Sequence, residues 1–194
     1  MNRRTLLATL PGLLAACGST PTTEVFTLTR TTAPPPPATG RPILVFVDRA
    51  TVAGYFDRAQ LVSRRADYRV SFHEFAVWGE PIADLITRAL VDDLAQRFGA
   101  DQVMATPTPR PKPPTWRIET DITRFDTTET GTATLDARWN LLHGTTDKLI
   151  TSHRELIEAP AQTPLTNATR VAALRETLAT LAERIATTIN NTRA

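Results

Sequence analysis

The chain has 194 residues, with 22 Lys and Arg against 20 Asp and Glu, three His and a single Cys. That length suits one domain, and so small a net charge gives no electrostatic basis for binding nucleic acid. One cysteine excludes an internal disulfide, so a packed core must hold the fold.

Arg3 and Arg4 precede an apolar run from Leu6 to Ala16. The run is shorter than the roughly 20 residues that span a bilayer, and Pro11-Gly12 would break a helix within it. A basic start, a short apolar run and small residues form the layout of a secretory signal. The run ends Leu14-Ala15-Ala16-Cys17. This resembles the bacterial lipobox, in which the cysteine thiol takes a diacylglyceryl group and the new amino terminus is then acylated. A plain signal peptide with a chance cysteine, or an uncleaved anchor, is the alternative. The expected organisation is a signal peptide over residues 1–16, lipidation at Cys17, a lipidated tether over 17–23 and a periplasmic domain over 24–194. Arg3 and Arg4 lie in the removed segment and account for the whole net charge of +2. Each buried CH₂ of an acyl chain contributes about 0.8 kcal/mol, so several chains anchor stably. Gly18 follows the cysteine where an Asp would favour inner-membrane retention. By resemblance to sorting rules of enteric bacteria, the expected location is the periplasmic face of the outer membrane, with the inner membrane left open. Fully extended, Gly18 to Thr23 reaches about 20–25 Å.

Glu24 to Thr29 alternates apolar and polar residues and predicts a first strand. Thr31 to Pro42 holds four consecutive prolines, a stiff loop with polyproline character that reads as a surface spacer. Ile43 to Val47 is a continuous apolar run of strand length, as expected for a buried central strand. Gln60–Ser63 and Arg69–Glu74 predict two strands around an Ala66-Asp67 turn. Pro81 is suited to the first position of a helix. Behind it Ile82, Leu85, Ile86, Ala89, Leu90, Leu94 and Phe98 recur at helical spacing, and Gly99 ends the row. Asp84, Arg88, Asp92 and Arg97 are left to face water. Gln102–Ala105 predicts a short strand and Thr106–Pro114 a second proline-rich loop. Trp116–Ile122, Ala133–Leu141 and Leu149–Ile157 predict an antiparallel meander with one buried face, turned at Gly131 and at Gly144-Thr145-Thr146-Asp147. Val171, Leu174, Leu178, Leu181, Ile185 and Ile189 form the apolar row of a closing helix. The predicted fold class is therefore α+β: a single domain whose largely antiparallel or mixed sheet packs against two long helices, at about 81–98 and 167–189.

No catalytic set is legible. The chain lacks a P-loop, a Gly-rich dinucleotide motif and a Gly-x-Ser-x-Gly elbow. His73, His143 and His153 lie on predicted strands without metal-ligand spacing. Arg154-Glu155 and Asp92-Asp93 read as solvated charges. No enzyme activity, metal or other cofactor is expected.

Two segments carry sharper patterns: Tyr55-Phe56-Asp57-Arg58-Ala59-Gln60-Leu61-Val62 and Trp78-Gly79-Glu80-Pro81-Ile82. The first mixes Tyr, Phe, Arg and Gln in the manner of an interface. It also fits a tight structural corner in which Asp57 and Arg58 satisfy backbone groups while Tyr55 and Leu61 enter the core. Trp78 suits an interface anchor or packing over the helix start. Glu80 lies at the positive end of a helix, where a carboxylate is stabilised.

In order and spacing these segments resemble the PqiC/YmbA family, auxiliary lipoproteins of ABC-type transport systems. That family has a Tyr-Leu-Asp-Arg-Pro-Gln-Leu-Val-type segment and a Trp-x-Glu-Pro-Leu helix start. Ala59 replaces the usual proline and Ile82 the usual leucine. The second half of the chain matches in layout alone. The resemblance implies a non-enzymatic auxiliary or docking subunit at the outer-membrane end of an MCE-type lipid transport system. Its partners would be an MCE-domain protein and the ABC permease system, with a homo-oligomeric ring as a further possibility. The candidate partner interface is Tyr55, Phe56, Asp57, Arg58, Gln60, Leu61, Trp78, Glu80 and Pro81. The alternative is a structural or assembly lipoprotein of the envelope, with peptidoglycan or an outer-membrane barrel as partner.

Overall fold

The computed structural model describes residues 22–29, 43–106 and 113–192. Cys17 with the signal segment, the loop of four prolines and most of the second proline-rich loop lie outside them. The described chain runs β1 (Glu24–Phe26), β2 (Val45–Val47), β3 (Thr51–Val52), β4 (Gln60–Arg64), β5 (Val70–Trp78), α1 (Ile82–Phe98), a 3₁₀ turn (Ala100–Gln102), β6 (Val103–Ala105), β7 (Trp116–Thr128), β8 (Thr132–His143), β9 (Leu149–Pro160) and α2 (Asn167–Thr192).

All nine strands join one mixed sheet, and β7 is its spine. One edge of β7 pairs antiparallel with β8, which pairs antiparallel with β9. The other edge takes three parallel partners in succession: β2 opposite Trp116–Ile118, β3 opposite Asp121–Ile122 and β4 opposite Thr127–Thr128. From there the sheet forks. β2 continues to β6, while β4 pairs antiparallel with β5 and β5 pairs parallel with β1. A long strand can hold several short ones because ladder hydrogen bonds are local to each register.

The predicted class is the observed one: α+β, one domain, two long helices on a curled mixed sheet. Val45, Phe46 and Val47 are fully buried between two parallel neighbours, as a continuous apolar run requires. Both helices lay apolar faces on the core. Ile82, Leu85, Ile86, Leu90 and Leu94 come from α1, and Leu174, Leu178, Leu181, Ile185 and Ile189 from α2.

The structure corrects several details. Strand β1 stops at Phe26 because Thr29 N–H turns to Thr27 Oγ1 at 3.3 Å, a local bond that competes with the ladder. Strand β5 runs four residues past Glu74 because β1 gives Ala76–Trp78 a second partner. Pro81 stands one residue before α1, with ψ of 131°, and its carbonyl accepts from Asp84 N–H and Leu85 N–H at 3.0 and 3.2 Å. Gly99 ends the helix with φ of 103°, a backbone that side chains disfavour. The reading of Asp93 as a solvated charge fails. Its side chain is 0% exposed and receives both terminal nitrogens of Arg175 from α2, each at 2.6 Å.

Candidate interaction surface

The two motif segments, separate in sequence, fold side by side. Ala53 N–H bonds Ile122 O at 3.0 Å, which ties the loop after β3 to the spine strand. The loop then doubles back through Phe56 N–H to Ala53 O (3.2 Å) and Arg58 N–H to Phe56 O (2.8 Å). It delivers Gln60 into β4 opposite Val77, and Trp78 N–H donates to Ala59 O at 2.7 Å. Gly79 N–H bonds Phe26 O at 2.8 Å. A methyl group at Gly79 would press on Val25 and the Phe26 carbonyl, so the close approach favours glycine.

The candidate residues divide by burial. Phe56, Leu61 and Trp78 are core residues. The Phe56 ring meets Tyr55 edge-on at 5.0 Å and Phe125 at 6.3 Å. Tyr55 is half-buried, and its hydroxyl donates to Asp126 Oδ2 at 2.6 Å. Asp57, Arg58, Glu80 and Pro81 are exposed, with Gln60 partly so. The Arg58 guanidinium lies 3.6 Å from the centre of the Phe72 ring, and its Nε donates to Gln60 Oε1 at 3.3 Å. Glu80 accepts from Arg88 NH1 at 3.1 Å, and Arg49 Nε reaches Asp84 at 2.6 Å. The surface formed is a charged patch around an arginine stacked on an aromatic ring, anchored from behind by Phe56, Leu61 and Trp78.

A second constellation sits under the far end of β4 and β7, and no sequence motif announced it. Asp126 is 0% exposed and accepts three bonds: Tyr55 OH and Arg64 Nε (3.1 Å) on Oδ2, Arg124 Nε (3.0 Å) on Oδ1. Burial and the Asp126 carboxylate push the Tyr55 phenol up to about 12. Beside it Ser63 Oγ lies 3.0 Å from Thr127 Oγ1 and 2.7 Å from His73 Nε2. Arg170 of α2 is buried, donating to Thr127 Oγ1 at 3.0 Å and to the carbonyls of Thr128 and Glu129. Burial, and then the Arg170 charge, hold His73 below its ordinary value of 6.5. The available sequence clue was a slip of phase. A bulge between Ile122 and Arg124 turns Phe125 inward after Trp116, Ile118 and Ile122, and carries Asp126 and Thr127 under cover.

The other two histidines are dispersed. His153 stacks on Trp139 with centroids 4.7 Å apart, and His143 meets Trp116 edge-on at 6.3 Å. Among the described residues no group of His, Cys, Asp and Glu is placed to hold a metal ion, and no helix is long and apolar enough to cross a membrane.

A family model described as "ABC-type transport auxiliary lipoprotein component" matches residues 26–186. Among solved structures, the crystal structure of an uncharacterised protein is similar with TM-score 0.70 and 18% identity, covering 87% of this chain and 99% of that one. A protein of Xanthomonas campestris from the DUF330 family gives TM-score 0.68 and 16% identity over 88% and 99%. At these identities the likeness is one of fold. A PelC dodecamer from Paraburkholderia phytofirmans is more distant, with TM-score 0.45 and 12% identity over 76% and 93%, and carries no weight for assembly here. No curated protein matches the chain.

Proposed function

The chain belongs to the ABC-type transport auxiliary lipoprotein component family, and on that premise we propose that it is a docking subunit of an MCE-type lipid transport system. In this reading the precursor is cut before Cys17, and the lipidated Cys17 holds the domain to the periplasmic face of the outer membrane. The domain then presents the Arg58–Glu80 patch to an MCE-domain protein that works with an ABC permease. Membership implies association with an ABC transport system; the MCE partner, the outer membrane and the absence of enzyme activity belong to the proposal.

The observation that carries it is the joining of the two family-like segments into one surface, closed by the Trp78 N–H to Ala59 O bond of 2.7 Å. Core anchors lie behind and charged groups in front: Asp57, Arg58 and Glu80 are exposed, while Phe56, Leu61 and Trp78 fix the backbone that displays them. A rigidly backed polar patch suits a subunit that docks more than one that catalyses.

The test is crosslinking in intact cells, followed by extraction of the lipidated protein and identification of its partners by mass spectrometry. The expected result is recovery of an MCE-domain protein, reduced when Arg58 and Glu80 carry reversed charge. Recovery of peptidoglycan or barrel-assembly components in its place would overturn the reading.

A further inference from the structure

A groove of about 850 Å³ opens where the β4–β5 hairpin overhangs the outer face of β7, β8 and β9. Its walls include Arg64, Arg65, Tyr68, Arg124, Glu129 and Arg154. Asp126 organises the floor. Arg64 and Arg124 both reach this fully buried carboxylate through Nε, at 3.1 and 3.0 Å, so their terminal amino groups are not spent on it. Paired guanidinium tips held from behind are suited to a phosphate, which takes two parallel N–H donors from each arginine. At the rim Arg65 faces Glu129 at 3.4 Å, and Arg154 holds Asp136 through two bonds of 3.0 and 2.7 Å. The four arginines exceed Asp126, Glu129 and Asp136 by one charge. Arg170, bonded to neutral acceptors at Thr127, Thr128 and Glu129, adds another behind them.

Tyr68 gives the second observation. It occupies the hairpin tip with left-handed backbone, φ of 66°, and its side chain is 97% exposed. A tyrosine so displayed beside arginines matches the residue types that settle at the headgroup level of a bilayer. Strand direction gives the third. Strand β1 runs parallel to β5 with Glu24 opposite Ala76, so the chain preceding Glu24 approaches from the side on which the hairpin tip lies. From Ala76 back to Val70 the strand covers about 20 Å. The residues between Cys17 and Glu24 have a reach of about 20–25 Å. An anchor at Cys17 and the hairpin tip can therefore meet the same plane.

We propose that this groove binds the phosphate of a phospholipid headgroup, and that the hairpin end of the domain rests on the membrane that holds its anchor. The second half of this statement rests on lipidation at Cys17 but not on the identity of the transport partner. A failed crosslink to an MCE protein would leave it standing.

The test uses the full-length lipidated protein in detergent, carrying Tyr68→Trp. Trp78, Trp116 and Trp139 are buried, so a fluorescence change on titration reads position 68. Short-chain phosphatidylglycerol is expected to give a saturable change, and inorganic phosphate a much weaker one. The pair Arg65→Gln and Arg154→Gln, which leaves the Asp126 network intact, should weaken the lipid response about tenfold, as loss of charge-assisted bonds implies. Its thermal midpoint should be unchanged. No saturable lipid response, or an undiminished one in the double variant, would overturn the proposal. Equal affinity for inorganic phosphate would make the groove a site for free anions and overturn its assignment to the membrane.

Discussion

Asp93 of α1 and Arg175 of α2, 82 residues apart in the chain, meet through two hydrogen bonds of 2.6 Å inside the helix–helix contact. The carboxylate is fully buried and the guanidinium nearly so. The pair fixes how one helix lies on the other, since apolar faces alone tolerate sliding.

Removing one partner leaves a buried charge, which costs about 3–5 kcal/mol, whereas replacing both by apolar groups of similar size is often neutral. Arg175→Met alone should therefore lower the free energy of unfolding by about that amount. The double variant Asp93→Leu with Arg175→Met should be more stable than either single one. Urea unfolding of the three variants checks this. Additive losses would show that the two side chains are not coupled.

Tyr55 supplies a signature at high pH. Its folded-state value is raised from 10.0 to about 12, so the neutral phenol is favoured in the fold. A raised value means a contribution that is complete below pH 10 and lost as the pH climbs through about 12. Absorbance titration should show one tyrosine ionising near the upper limit. Tyr55→Phe should remove that step and also cost stability at pH 7, because Asp126 loses a donor where it is fully buried.

His73 acts in the opposite range. Its value is depressed below 6.5, first by burial and then by Arg170, so the unfolded chain binds the proton more readily. The stability tied to neutral His73 is present above pH 6.5 and is lost as the pH falls through the lower folded-state value. Between pH 7.5 and 5.5 the native chain should lose more stability than a His73→Gln variant, read from urea midpoints. An equal loss in both would remove His73 from the acid response.

On the docking patch, Arg58→Glu combined with Glu80→Lys changes exposed side chains. Apart from the Arg58–Phe72 stacking and the Glu80–Arg88 pair, little is disturbed, and stability should shift by about 1 kcal/mol or less. Partner recovery after crosslinking should fall markedly. A variant that folds normally and still captures the partner in full would move the docking surface elsewhere.

Much of the fold was legible because short-range physics dictates it. The run Ile43–Val47 could only be satisfied by burial on both faces, and the rows of α1 and α2 had to face a core. The candidate site was half legible. Its two segments stood out, yet which side chains displayed themselves depended on the close packing of the loop after β3 against Trp78. Phe56 and Trp78, good interface residues by type, went inward, and Phe72, which no motif marked, came to the surface under Arg58.

By itself the sequence determined the α+β class, the two long helices, the meander and the absence of any familiar catalytic motif, because hydrophobic period and turn chemistry act over a few residues. Only the tertiary structure decided that β7 serves three parallel partners, that a bulge buries Asp126 beneath two arginines, and that Asp93 meets Arg175. Those outcomes depend on pairings between residues tens of positions apart. Nothing in local period or composition records which distant carboxylate a given arginine will find.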